Sequence, residues 1–236
     1  MPITSVFRHL PRGSSRLRLL STGVLKGVCL SLLLNHQGLQ AKTLLLLDQF
    51  NQPISDAVVA VAAESADLAG QVNNIAVMDQ INKQFVPQVL TIQRGQQVSF
   101  PNSDNIRHHV YSFSATKPFE IKLFKGEQTQ PILFDQAGIA VLGCNIHDNM
   151  IGYIYVADKE ITTLSNPQGE VSIADNVQHI TVWHANMSAH NTERQQVELS
   201  QMTADEQGRL VLKIQLLPGQ EDKPDVSSGK FKKKFG

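Results

Sequence analysis

Apolar positions in this chain come in short runs of strand length, and nowhere in the pattern does a sustained helical stripe develop. Residues 43–47 (Thr-Leu-Leu-Leu-Leu) and 57–63 (Ala-Val-Val-Ala-Val-Ala-Ala) are nearly continuous apolar runs. Between them lies Asp48-Gln-Phe-Asn-Gln-Pro53, whose Asn and Pro predict a turn, so the two runs together predict a hairpin buried on both faces. Residues 64–74 are small and polar and predict a linker or one short helical turn. From Ile75 the pattern tightens into closely spaced strands at 75–78, 85–92, 97–100, 110–113, 119–124, 131–134, 138–142 and 151–156. Gly95, Pro101-Asn102, Lys117-Pro118, Lys125-Gly126 and Ala137-Gly138 punctuate them, which predicts a sandwich or barrel.

Beyond Asp158 the chain is polar over 161–170, with Pro167 and Gly169, and then predicts strands at 170–173, 179–184, 195–199 and 210–216. These suit a second small sheet shared with the 43–63 hairpin. Residues 218–236 carry almost no apolar content and end in Lys230-Phe-Lys-Lys-Lys-Phe-Gly236, the composition of a disordered basic tail. The expected organisation is therefore a leader over 1–41, the first part of a small β-sandwich over 42–72, a central β domain over 73–158, the second part of the small sandwich over 159–217, and a tail over 218–236.

The leader reading rests on order as well as on composition. Residues 1–41 hold five basic side chains (Arg8, Arg12, Arg16, Arg18, Lys26) and no acidic one, followed by the apolar run 27–34 and then Gly38-Leu-Gln-Ala41. A basic region, a short apolar region and a small residue at the cleavage point define a secretory signal. The apolar run falls short of the about 20 residues that span a bilayer, so cleavage near Ala41 is expected, with an uncleaved amino-terminal anchor as the alternative. After cleavage the protein is not expected to be integral to a membrane, and a periplasmic or otherwise exported location follows. Losing five of 21 Lys and Arg against 21 Asp and Glu leaves 16 basic groups and a net charge of −5. No basic face points to a nucleic-acid partner.

Of the two cysteines, Cys29 lies in the leader and Cys144 is left without an intramolecular partner. A lone thiol in an oxidising compartment pairs between chains, is buried, or holds a metal. Its neighbours favour the last, because the loop Gly143-Cys-Asn-Ile-His-Asp-Asn-Met-Ile-Gly152 sets a thiol, an imidazole and a thioether at three-residue intervals: Cys144, His147 and Met150. With one further imidazole these are the donors of a blue-copper site. The run Asn102-Ser-Asp-Asn-Ile-Arg-His108-His109-Val110 supplies it, from either His108 or His109. Adjacent residues in a strand face opposite sides, so only one of the two histidines can join the inward set. Blander readings stand beside this one. Cys144 would pack as a small inert hydrophobe, Met150 would be core, and His147 with Asp148 would form a cysteine–histidine nucleophile site, for which a three-residue loop spacing is unsuited. Zinc is disfavoured because a thioether is a poor zinc ligand. His179 and His190 are expected to be solvated, and Trp183 and His184 to alternate between core and surface.

The run 85–104, then His108, then 138–156 around Cys144, His147 and Met150 resembles the plastocyanin-like cupredoxins, and the short ligand loop resembles that of amicyanin. The chain as a whole is similar to exported proteins of the methylamine-utilisation type. Its flanks, Asp48 to Val59 and Asn166 to Val171 leading into His179-Ile-Thr-Val-Trp-His184, resemble the halves of a carboxypeptidase regulatory-like, transthyretin-like sandwich. The resemblance implies an all-β fold: a Greek-key β-sandwich with a second small transthyretin- or immunoglobulin-like sandwich built from the flanks. It further implies one copper ion per chain held by His108, Cys144, His147 and Met150, with His109 the alternative to His108, chosen second because His108 matches the family's His-x-Val position. The implied function is one-electron carriage with no catalysis, handed to a protein redox partner through His147. Asp148 and Asn149 make that exit more polar than the family's usual docking patch. Alternatives are a copper chaperone, storage or sensing module, a copper enzyme with a vacant position, or an interaction sandwich with incidental metal; a dimer is neither required nor excluded. The chain departs from the family at His109, where Asn is common, and at Ile146, where Pro is common.

Overall fold

The computed structural model describes residues 41–63, 73–126 and 130–218. The expected leader therefore falls outside the described residues, as do most of the linker and all but the first residue of the tail. Among the described residues, seventeen strands and two short 3-10 turns, Ala185–Met187 and Leu199–Gln201, make up the regular structure. In chain order the strands are β1 (Ala41–Leu47), β2 (Val58–Ala62), β3 (Ala76–Val77), β4 (Asp79–Ile81), β5 (Gln84–Val86), β6 (Val89–Gln93), β7 (Gln96–Ser99), β8 (His108–Ser112) and β9 (Phe119–Phe124). They continue with β10 (Ile132–Phe134), β11 (Gly138–Gly143), β12 (Ile151–Ala157), β13 (Glu160–Leu164), β14 (Glu170–Ala174), β15 (His179–Trp183), β16 (Gln195–Glu198) and β17 (Leu210–Lys213). The fold is all-β, as expected.

The central sandwich sets a five-stranded sheet, β6-β12-β11-β8-β9, against a three-stranded one, β10-β7-β3. Alternate residues of both sheets meet in one core. Val110, Ala140, Leu142, Ile154 and Val156 come from the larger sheet, Val98 and Phe134 from the smaller, and Phe85, Phe100, Cys144 and Met150 join the same core. The flanking segments build a second sandwich, with β14-β1-β17 facing β13-β2-β15-β16 over Leu44, Leu46, Val59, Val171, Ile180 and Val182. The two sandwiches share a third core. The outer faces of β2 and β15 (Val58, Ala60, Trp183) pack on the outer face of the five-stranded sheet (Val89, Ile139, Tyr153, Tyr155). Trp183 lies edge-on to Tyr153 and Tyr155, with ring centroids 5.6 and 6.2 Å apart.

That sharing explains the continuous apolar runs. In β2, Val59 faces one core and Val58 and Ala60 the other; in β12, Ile154 and Val156 face the first core while Tyr153 and Tyr155 face the third. A strand covered on both sides has no polar face to alternate with.

Three sequence expectations are corrected. The runs 43–47 and 57–63 do not form a hairpin: β1 pairs with β14 and β17, whereas β2 pairs with β13 and β15 in the opposing sheet. The turn between them is real, with Asp48 Oδ1 accepting the Phe50 and Gln52 amides at 2.8 and 2.7 Å. Thereafter the chain crosses between sheets instead of folding back. The crossover is pinned by the buried Ser165 hydroxyl, which accepts from the Ala57 amide and donates to the Ile54 carbonyl. The run 85–92 is not one strand: at Pro87, which has no amide to donate, the chain leaves β4 for β12. The polar stretch 161–170 is strand over most of its first half. As β13 it forms the edge of the four-stranded sheet, where threonines on a half-exposed strand give no apolar alternation to read.

Candidate metal centre

β11 and β12 pair as neighbours from Gly138 with Val156 up to Gly143 with Ile151, so residues 144–150 are the loop that closes this hairpin. The loop consists of two successive turns that share His147. Its amide donates to the Cys144 carbonyl at 3.4 Å, and the Met150 amide donates to the His147 carbonyl at 2.9 Å. Each turn closes from one residue to the third after it, and this is the physical origin of the Cys144, His147, Met150 spacing. Cys144 and Met150, both buried, point into the central core, while His147 is only partly buried.

The upstream imidazole comes from β8, which pairs with β11 at Tyr111 and Gly143. His108 is fully buried on the core side of that strand, next to Val110. Its Nδ1 lies 3.9 Å from the Cys144 Sγ, and the His147 Nδ1 lies 3.7 Å from the same sulfur. The ligand atoms of His108, Cys144 and His147 all lie within 4.8 Å of one another. A first-row ion about 2.3 Å from sulfur and about 2.05 Å from imidazole nitrogen holds those donors about 3.8 Å apart at a bond angle near 120° and about 3.6 Å apart at a tetrahedral angle. Both sulfur–nitrogen spacings fit an ion, and they lie nearer the trigonal value. Soft sulfur with two imidazoles is the donor set that suits copper, so the residues present fit the ion the sequence implied.

His109 lies elsewhere. It faces the other side of β8, with Nε2 2.9 Å from Glu120 Oε1 on β9 and its ring 5.7 Å from that of Tyr111. The structure thus brings together His108, Cys144 and His147, with Met150 in the same core, and leaves His109 out. Of the pair His147 and Asp148, His147 faces the Cys144 sulfur at 3.7 Å and Asp148 is exposed.

Sequence reasoning missed Asp104. Its Oδ2 sits 2.6 Å from His108 Nε2, behind the candidate ligand. Burial by itself would raise the Asp104 carboxyl, but hydrogen bonds from the Lys83 amide, the His108 ring and the Asn82 amide outweigh it and hold the carboxyl below its ordinary range. The available signal was the four-residue separation from His108 in a segment already singled out. At His147, desolvation first and then the charges of His108 and Lys83 depress the imidazole pKa, partly offset by Asp104. The shift favours the neutral ring, the form that coordinates a metal. His179 and His190 are exposed, as expected, whereas His184 lies just past the end of β15, is partly buried, and caps the Ala185–Met187 turn by accepting the Asn186 amide.

Neither a protein-family description nor a curated protein matches the chain. Among solved structures, a copper-containing nitrite reductase from Thermus scotoductus SA-01 is similar at 26% identity and a TM-score of 0.34, over 36% of this chain and 22% of that one. The chain thus spans about a fifth of the nitrite reductase's length. A purple cupredoxin from Nitrosopumilus maritimus is similar at 20% identity and a TM-score of 0.32, over 35% of this chain and 99% of that one. A reduced Cu(I) form of an amicyanin variant is similar at 22% identity and a TM-score of 0.33, over 38% of this chain and 88% of that one. Among the described residues no helix is long and apolar enough to cross a membrane.

Proposed function

We propose that this chain is an exported type 1 copper protein that carries one electron at a time between protein partners and performs no bond-making chemistry. The observation that supports this reading best is the convergence of His108 from β8 with Cys144 and His147 from the β11–β12 loop, at sulfur–nitrogen spacings of 3.9 and 3.7 Å. A bound copper ion would supply the one-electron couple. Cys144 contributes the thiolate from a buried position, where water has little access to compete for a coordination place. His108 is fixed by the sandwich, whereas His147 is fixed by the double turn, so the donor set depends on the whole central fold and resists rearrangement between oxidation states. Met150, buried in the same core as Cys144, would supply a weak thioether donor to the ion.

Of the two candidate ligand imidazoles only His147 reaches the surface, which makes it the candidate route for electrons. Around it Asn145, Ile146, Asp148 and Asn149 are exposed, a mixed and mostly polar rim on which the redox partner would dock.

The test is to purify the protein from an exported fraction, add Cu(II) and record visible absorption. An intense thiolate-to-copper band in the wild type that disappears in Cys144→Ser is the expected result. A colourless wild-type protein with copper bound would sink the carrier reading, and rapid loss of copper to a chelator would favour a chaperone instead.

A further inference from the structure

His108 is the one candidate ligand that the β11–β12 loop does not supply, so something in the sandwich must fix which way its ring faces. Both ring nitrogens are engaged, in opposite directions: Nδ1 toward the Cys144 sulfur at 3.9 Å and Nε2 against Asp104 Oδ2 at 2.6 Å. An ionised carboxylate only accepts hydrogen bonds, so the Nε2–H donates, and in the neutral ring Nδ1 then has its lone pair on the sulfur side.

Asp104 is not a loose surface group. Its side chain is 13% exposed, and each oxygen is bound by a backbone amide: Oδ1 by Asn82 at 2.7 Å and Oδ2 by Lys83 at 2.8 Å. Those amides form the tip of the β4–β5 hairpin. Ile81 pairs with Gln84, and the two residues between have φ of 53° and 61°, the left-handed pair of a type I′ turn. The segment carrying Asp104 is tied to the same hairpin again, by the Ser103 hydroxyl donating to Asp79 Oδ2 at 2.6 Å and the Ser103 amide to Asp79 Oδ1 at 3.1 Å. The Asp104 amide in turn donates to Asn102 Oδ1 at 3.0 Å, and Asn102 Nδ2 bridges the carbonyls of Ile106 and Phe124. A rigid connection thus runs from a hairpin tip through a carboxylate to a buried imidazole and on to the thiol.

We infer that Asp104 is the positioning residue of the metal centre: held by the β4–β5 turn, it fixes His108 with Nδ1 toward Cys144 and keeps a negative charge behind that ligand. A carboxylate on the far nitrogen of a ligating imidazole fixes its tautomer and raises its basicity. The added negative charge stabilises Cu(II) more than Cu(I), so Asp104 lowers the reduction potential. This inference rests on the copper reading above, but it also makes a claim about the metal-free protein that can be tested separately. A purely structural Asp104 would satisfy His108 Nε2 and leave potential and affinity untouched.

The full chain, metal-free and labelled with 15N-histidine, is examined by long-range proton–nitrogen NMR at a pH where the ring is neutral. His108 is expected as the Nε2–H tautomer; the Nδ1–H tautomer overturns the inference whatever the chain binds. The copper-loaded chain is then compared with Asp104→Asn and Asp104→Glu. In Asp104→Asn copper affinity should fall by about 10–100-fold, and the potential should rise by about 59 mV for each tenfold by which Cu(II) weakens more than Cu(I). Asp104→Glu, which keeps the charge, should recover most of both. A folded Asp104→Asn with wild-type affinity and potential overturns the inference. If circular dichroism shows that Asp104→Asn does not fold, the wild-type tautomer decides. A wild type that gives no copper band sinks the carrier reading alone, and the tautomer still judges Asp104.

Discussion

His108 and His109 are neighbours in the chain, yet strand geometry gives them unrelated environments. His108 shares the inner face of β8 with Val110, while His109 shares the outer face with Tyr111 and meets Glu120. The ladder between β8 and β9 is irregular between His108 and Val110, and the alternation of faces survives it. Replacing His109 with Ala should therefore leave the copper band in place, whereas His108→Ala should abolish it; absorption spectra of the two variants check this. The reverse result would show that the ring facing Glu120 can turn inward and take the site. A residue's type makes it a possible donor, but its side of the strand decides whether it can act as one.

At the scale of the element, the loop works because the hairpin beneath it is rigid, and two glycines mark how tightly that hairpin is packed. Neither needs a left-handed backbone. At Gly152 an added Cβ would lie 2.8 Å from Phe85 Cβ and 2.9 Å from its Cγ, against a fully buried core ring. At Gly143 it would meet the Tyr111 ring and hydroxyl at 2.7 Å, on a side chain that is only partly buried. Gly152→Ala should cost about 1–3 kcal/mol, the range for forcing extra volume into a packed core, measured by denaturant unfolding of the metal-free protein. Gly143→Ala should cost less, since the Tyr111 ring can swing outward. The double turn above these glycines was legible as a spacing of three, because a turn that closes from one residue to the third after it sets that period locally. The break of 85–92 at Pro87 was legible only as a proline; what it does, moving the chain from one partner strand to another, depends on β12, more than sixty residues away.

At the scale of the molecule, the two sandwiches are joined through a shared core rather than strung on a linker. Trp183 is the largest side chain in that core, fully buried between β15 and the tyrosines of β12. Truncating it should destabilise both sandwiches together: Trp183→Ala is expected to cost about 3–5 kcal/mol, with one cooperative transition by circular dichroism. Since Trp183 is the only tryptophan, wild-type fluorescence reports unfolding at the shared core, and it should coincide with loss of the copper colour. Separate transitions would mean that the central sandwich folds without its neighbour. Tyr155, whose hydroxyl donates to Glu160 at 3.0 Å under the Arg194 guanidinium, closes the rim of the same contact, and burial pushes its pKa up to about 12.

The sequence alone determined what is local. It contained the short apolar runs that make the chain all-β, the turn residues that end most of the strands, and the thiol, imidazole and thioether that two consecutive turns bring to one loop. Those features are set by backbone sterics and by neighbours within a few residues. Only the tertiary structure decided which strands pair, that 43–63 crosses between sheets instead of folding back, that His108 and not His109 faces Cys144, and that Asp104 stands behind His108 on the tip of a hairpin twenty residues upstream. Each of these is a contact between segments far apart in the chain. The same apolar alternation is compatible with several such pairings, and only the joint packing of three cores selects among them.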